Sequence, residues 1–129
     1  MNQEVRVLDI GTEAPDSSEL ARGIVELIAD KKGSDIVLLD IRRVSLLADY
    51  FVICSGASDR QVKAILDEIL EKVKKEAGIV PLSVEGVPSS GWVLIDYGSV
   101  IVHIFVPSLR EYYSLEKLWS GATMVVRVQ

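Results

Sequence analysis

The 129-residue sequence contains very little cysteine and histidine. Cys54 is the only cysteine, which excludes an internal disulfide and a zinc site made of several thiolates, and fits a reducing compartment. His103 is the only histidine, and the strand carboxylates Asp40 and Asp96 each stand alone rather than in an Asp-x-Asp pair. We therefore expect no metal site.

The sequence also lacks a surplus of basic charge and a long apolar run. Its formal net charge of -5 argues against a nucleic-acid binder, because neutralising phosphate requires clustered Lys and Arg. No apolar run approaches the ~18 residues of a membrane-spanning helix. The N-terminus has neither the basic start nor the apolar stretch of a signal peptide. We expect a cytoplasmic protein that binds no DNA directly and no membrane.

The chain length and an apolar fraction near one half suit one compact domain. We assign residues 1–16 to an N-terminal extension and residues 17–129 to a single domain. Helices are predicted over 17–32, 58–78 and 108–121 from apolar residues at helical spacing. A capping box is expected at the start of each helix. The three expected pairs are Asp16 with Glu19, Ser58 with Gln61, and Ser108 with Glu111.

Short runs rich in Val, Ile and Leu predict the strands. They cover residues 34–44, 50–56, 81–86, 92–96 and 100–105, and residues 122–129 form either an edge strand or a loose tail. Two strands follow each other without a crossover helix, and a hairpin comes near the end, so a purely parallel sheet is excluded. The order predicts a mixed α/β (α+β) domain with a mixed sheet of about five strands covered by helices.

Two residues could carry catalytic chemistry, His103 and Cys54. His103 shares its strand face with Ile101 and Phe105, which favours a buried, hydrogen-bonded side chain. Cys54 lies in an apolar strand, where thiols are usually inert. The sequence has neither a Walker loop nor a dinucleotide-binding fingerprint. None of these features predicts an enzyme.

The stretch CSGASDRQ, residues 54–61, is similar to the entry into nucleotidyltransferase folds, where a helix N-terminus can hold phosphate. Those enzymes also need a pair of carboxylates on the next strand to bind two metal ions. Here a long helix follows, and its Asp67 and Glu68 point to different faces. We interpret Gly56 as a turn residue and Ser58 as a helix cap.

Aromatic residues near the last strands favour a binding face, although they could also fill the gap between the last helix and the sheet. Trp92 begins the hairpin after a polar loop, and Tyr112, Tyr113 and Trp119 lie in the last predicted helix. Adjacent helical residues are about 100° apart, and the spacing predicts that Tyr113 is more exposed than Tyr112. Asp96 shares a strand face with Trp92, where it either receives Arg or Lys from a partner or holds the turn through its own backbone.

Four separate stretches together resemble the ribosomal silencing factor family (RsfS, also called Iojap or YbeB). They are DYFVICSGASDRQVKAI (49–65), VEG (84–86), WVLIDYGSVIVHIF (92–105) and REYYSLEKLW (110–119). They match in order and spacing, and the resemblance covers about residues 17–120. It implies a nucleotidyltransferase-like topology without catalytic residues, and hence no enzyme activity and no cofactor.

The resemblance further implies binding to the large ribosomal subunit through ribosomal protein fourteen, which would block subunit association and repress translation. The family's aromatic contacts match Trp92 and Tyr113, and Asp96 and Glu116 lie in the same stretches. Ser99 departs from the family pattern, because an acidic residue usually follows the DYG sequence. A catalytically active nucleotidyltransferase-fold enzyme and a large-subunit assembly factor remain alternatives, and a homodimer is possible.

Overall fold

The computed structural model describes residues 15–114, Lys117 and residues 121–129. Three α-helices and six β-strands lie in these ranges, with a short 3-10 turn at Pro88–Ser90. In chain order they are α1 Ser17–Asp30, β1 Ser34–Asp40, β2 Tyr50–Ser55, α2 Asp59–Ala77, β3 Ser83–Glu85, β4 Trp92–Asp96, β5 Val100–Phe105, α3 Pro107–Tyr113 and β6 Thr123–Val128. No helix in the described ranges is long and apolar enough to cross a bilayer.

The strands form one mixed sheet in the order β3-β4-β5-β2-β1-β6. Strands β2 and β5 run parallel, and the other neighbouring pairs are antiparallel. The predicted mixed α/β fold is therefore confirmed. The sheet has six strands rather than about five, because the C-terminal segment pairs with β1 as an edge strand and is not a loose tail.

The sheet buries apolar side chains on both faces, which explains why every residue of β2 is buried. The larger cluster packs between the sheet and helices α1 and α2. Its central members include Ile24, Ile28, Val52, Ile65, Ile69, Val93, Ile95, Val102 and Ile104. The smaller cluster lies on the opposite face. It consists of Val37, Leu39, Ile41, Ala48, Phe51, Ile53 and Phe105, with Trp92 and Leu109 packed against it.

Helix α1 has the predicted capping box, in which the Asp16 carboxylate accepts the Glu19 N–H at 2.8 Å and the Glu19 side chain accepts the Asp16 N–H at 3.1 Å. The helix ends at Asp30, two residues before the predicted end, and Lys32 takes the left-handed conformation. Gly33 allows the chain after the helix to pack closely against it, because a Cβ there would lie 2.3 Å from Ile28 Cγ2.

Helix α2 has half of its predicted capping box. The Ser58 hydroxyl accepts the Gln61 N–H at 3.2 Å, but the Gln61 side chain accepts the N–H of Ala57 rather than that of Ser58. The same amide donates to the Lys32 carbonyl at 2.8 Å and so ties α2 to the end of α1. The bond from the Ala57 N–H takes the place of the expected bond from the Ser58 N–H. Gly78 has φ 70 and ends the helix as predicted.

The predicted cap of α3 is wrong, and the helix predicted over 108–121 is interrupted at Ser114. The helix begins at Pro107, and the preceding Val106 makes no side-chain cap, so the expected Ser108–Glu111 capping box is absent. Proline suits the first helical position because no N–H is needed there. The helix ends at Tyr113, where Ser114 has φ 48. The predicted continuation includes Glu116 and Trp119, which lie outside the described residues.

Candidate functional site

Four ring side chains meet on the sheet face opposite α1 and α2, and we call Trp92, His103, Phe105 and Tyr113 the aromatic cluster. Trp92 and Phe105 are cross-strand partners in β4 and β5, with ring centroids 5.0 Å apart. Tyr113 reaches the cluster from α3, and its ring centroid lies 4.6 Å from that of Trp92. The Phe105 and Tyr113 rings also lie 6.4 Å apart, so the hairpin register and the position of α3 bring Trp92, Phe105 and Tyr113 into mutual contact.

His103 lies beneath this surface with only 4% of its area exposed. Its Nδ1 accepts a hydrogen bond from Trp92 Nε1 at 3.3 Å, and its ring meets the edge of Phe51 at 4.9 Å. Burial lowers the pKa of His103 to about 4, so the ring is neutral at pH 7. The sequence-based prediction of a buried, hydrogen-bonded histidine is confirmed.

The two adjacent tyrosines differ in exposure, but opposite to the prediction. Tyr112 is 78% exposed and Tyr113 is 42% exposed, so Tyr112 is the more available ring. Tyr113 covers part of its surface against Trp92, with the two rings tilted by 44°, while Tyr112 meets the Tyr113 ring edge-on at 5.0 Å. Helical spacing predicted that the two residues point differently, but the contact between α3 and Trp92 decides which one is covered.

A groove of about 350 Å³ opens beside the aromatic cluster. Its lining residues are Glu85, Gly86, Ser90, Trp92, Leu94, Leu109 and Tyr113. Gly86 has φ 83, and a Cβ there would lie 2.3 Å from the Trp92 carbonyl oxygen. Only glycine therefore allows the chain leaving β3 to pass this close to the start of β4.

Asp96 lies on the same face of β4 as Trp92 and Leu94, at the other end of the strand. Its Oδ1 accepts the Gly98 N–H at 2.7 Å, so it holds the β4–β5 turn, which is one of the two roles considered from the sequence. Glu116, the other acidic residue assigned from the family resemblance, lies outside the described residues.

The residues that suggested enzyme chemistry have structural roles. Burial raises the pKa of the Cys54 thiol to about 12, which makes it a poor nucleophile at pH 7. The Gly56 N–H donates to the Phe105 carbonyl at 2.8 Å, and Ser58 caps α2. Among the described residues, no three His, Cys, Asp or Glu side chains form a group that could hold a metal ion.

Sequence patterns do not point to two of the groove residues, Glu85 and Leu109. Glu85 joins the site because β3 pairs with β4 in a register that sets Glu85 opposite Leu94. The pattern of residues 81–86 predicts a strand but does not say which residues of β4 it faces. Leu94, a third groove residue, follows from the pattern, because it alternates with Trp92 and Asp96 on one face of β4.

Comparisons with known proteins show a consistent likeness. Residues 14–129 match a protein family described as "Ribosomal silencing factor during starvation". The chain is 46% identical over 109 residues to the ribosomal silencing factor RsfS of Halalkalibacterium halodurans, which covers 84% of this chain and 92% of that protein. It is 48% identical over 95 residues to the RsfS of Bacillus subtilis, covering 74% of this chain and 80% of that protein.

A solved structure shows the same fold. The crystal structure of protein CV0518 from Chromobacterium violaceum superposes with a TM-score of 0.77 at 37% sequence identity. The match covers 86% of this chain and 93% of that one. The likeness therefore extends over most of both chains.

Proposed function

Because this chain belongs to the ribosomal silencing factor family, we propose that it binds the large ribosomal subunit and blocks its association with the small subunit. Its docking partner in this proposal is ribosomal protein fourteen on the intersubunit face, and its place of action is the cytoplasm. The observation that carries the proposal is the aromatic cluster, which presents the half-buried rings of Trp92 and Tyr113 beside an open groove.

Trp92 and Tyr113 have the properties of binding anchors. Tryptophan and tyrosine provide much of the binding energy at protein interfaces, because they bury large areas. Here Trp92 is held by the ring of Phe105 and by a hydrogen bond to His103 before any partner arrives. A ring already fixed in position loses little conformational freedom on binding, so more of the contact energy is available for affinity.

The charge of the chain favours a basic partner. The net charge is -5, and ribosomal proteins are commonly basic where they meet RNA. Opposite charges speed the encounter of two proteins and disfavour the wrong orientation. We propose that Asp96 and Glu116 lie at the margin of the contact, with Trp92 and Tyr113 at its centre. The Asp96 carboxylate would then combine two roles, since one oxygen already accepts the Gly98 N–H.

Blocking the joining of two ribosomal subunits requires occupation of a surface and no chemical step, and we propose that the chain acts without catalysis. The buried thiol of Cys54 and the neutral ring of His103 are poorly suited to nucleophilic or base catalysis at pH 7. Both residues serve the core instead. The bound chain and the small subunit would occupy the same space, so the large subunit could not bind both at once.

Co-sedimentation with purified large subunits tests the proposed contact. The test compares Trp92→Ala and Tyr113→Ala with Tyr112→Ala, a matched control at a more exposed ring that is not among the groove residues. We expect the first two variants to bind at least about tenfold more weakly, as loss of an interface anchor does, and the control to bind nearly as well as the wild type. If the first two variants are folded and still bind like the wild type, the proposed contact is wrong.

A further inference from the structure

We infer that the groove beside Trp92 receives a basic side chain, arginine or lysine, from the protein on which the chain docks, with Glu85 as its counter-ion. This inference rests on the proposed function and adds the chemistry of the contact. It assigns a binding role to Glu85 and to the groove walls, which the family resemblance does not assign.

The strand register brings the acidic residue to the rings. Glu85 of β3 and Leu94 of β4 are cross-strand partners, so their side chains lie next to each other on one face of the sheet. Leu94 is two residues from Trp92 and therefore shares that face. Glu85 and Trp92 consequently both line the same groove.

The groove walls suit a side chain that is apolar along its stem and charged at its tip. Leu94 and Leu109 provide aliphatic surface for the methylene groups of arginine or lysine. The rings of Trp92 and Tyr113 are tilted by 44° with centroids 4.6 Å apart, which leaves two aromatic walls of different direction. A cation near a tryptophan or tyrosine face is attracted by the ring quadrupole.

The charge of Glu85 is available to a partner. Its side chain is exposed, and within the part of the chain that the structure describes it makes no side-chain hydrogen bond and no ion pair. An apolar side chain entering the groove would leave a carboxylate at its edge without a partner. An arginine would instead form charge-assisted hydrogen bonds there, so the groove favours a cation over an aliphatic or aromatic residue.

The groove is built before a partner binds. Gly86 passes close to the Trp92 carbonyl, and the Ser90 hydroxyl lies 2.7 Å from the Val87 carbonyl oxygen and 3.1 Å from that of Trp92. Gly91 takes the left-handed conformation with φ 83, and a Cβ there would meet Leu109 Cδ1 at 2.7 Å. These contacts fix the loop from β3 to β4, so an entering side chain finds a preformed cleft.

The test measures the affinity of purified large subunits for Glu85→Gln, with Glu71→Gln as the matched control. Glu71 is an exposed residue of α2, the helix that packs on the sheet face opposite the groove. Its replacement by Gln changes the net charge by the same amount as Glu85→Gln. We expect Glu85→Gln to bind about tenfold more weakly and Glu71→Gln to stay within about twofold of the wild type. The difference between Glu85→Gln and the wild type should shrink at high salt.

A second pair of variants tests the aromatic wall. Tyr113→Phe keeps a ring face and should retain most of the affinity, whereas Tyr113→Leu keeps apolar area without a quadrupole and should lose several-fold. Circular dichroism and urea unfolding confirm that each variant is folded. If Trp92→Ala abolishes binding but Glu85→Gln binds like the wild type, the groove does not receive a cation. If Trp92→Ala also binds normally, the proposed function itself is wrong.

Discussion

Trp92 donates its indole N–H to Nδ1 of His103 across the β4–β5 ladder, over 3.3 Å. The bond requires an unprotonated Nδ1, so the proton of the neutral ring is on Nε2. Nε2 is buried and has no hydrogen-bond partner among the described residues. Burying a histidine with one unsatisfied nitrogen lowers the stability of the fold. In return, His103 orients the Trp92 ring, which we propose as the central contact.

The first prediction concerns this orienting role of His103. His103→Phe should preserve packing but remove the acceptor, so the Trp92 indole N–H should shift its nuclear magnetic resonance signal and exchange faster with solvent. Large-subunit binding should weaken several-fold, because the ring is no longer fixed. His103→Gln supplies a side-chain acceptor and should restore part of both properties. A Trp119→Phe background leaves Trp92 as the only tryptophan and identifies the signal.

An unchanged indole signal in folded His103→Phe would show that the rings of Phe105 and Tyr113 suffice to orient Trp92. A changed signal with undiminished binding would show that the orientation of Trp92 does not matter to the partner. Either result would remove the orienting role of His103 and leave its packing role intact.

The second prediction concerns stability at acid pH. Burial lowers the pKa of His103 from 6.5 to about 4, so between these values the unfolded chain binds a proton that the folded chain does not. The folded state therefore keeps its full stability, as far as His103 is concerned, above pH 6.5. As the pH falls toward 4, the free energy of unfolding decreases by on the order of 3 kcal/mol in total. Urea unfolding of the wild type and His103→Phe across this range measures the effect. Parallel pH profiles of the two proteins would contradict it.

The third prediction compares two glycines in the same backbone conformation. Gly78 and Gly86 have φ 70 and 83, but a Cβ at Gly78 meets nothing within 4 Å whereas one at Gly86 would lie 2.3 Å from the Trp92 carbonyl oxygen. Gly78→Ala should cost about 1 kcal/mol of unfolding free energy from backbone strain alone. Gly86→Ala should cost roughly 1–3 kcal/mol more, because the loop must move.

Urea unfolding at neutral pH gives both free energies, and Gly86→Ala should also lower large-subunit binding because the groove changes shape. Equal unfolding midpoints for the two variants would mean that the loop from β3 to β4 relaxes easily. The groove would then not be preformed.

The sequence predicted the parts of the fold that depend on local signals. The hairpin, the long helix and its Gly78 cap, and the capping box at Asp16 all follow from spacing and residue type. The errors occur where a distant contact decides the local structure. Gln61 bonds to Ala57 and to the carbonyl of Lys32 instead of completing its capping box.

In the candidate site, too, local patterns predict some features and distant contacts determine the others. Trp92 and Asp96 share a strand face as alternation requires, but the relative exposure of Tyr112 and Tyr113 depends on how α3 packs on Trp92. Glu85 belongs to the site only because β3 pairs with β4. The sequence of this short strand does not predict which residues of β4 it faces. Residue types and periods therefore predict the elements, and the register between them determines which side chains meet.

Subunit joining followed by light scattering tests the proposed mechanism most directly. Large and small subunits are mixed with a saturating excess of the wild-type chain, of Trp92→Ala, or of neither. We expect the wild type to slow and reduce the rise in scattering, and Trp92→Ala to leave it nearly unchanged. If the subunits join equally fast with the wild type bound, the chain does not act by blocking association, and a role in large-subunit assembly would fit better.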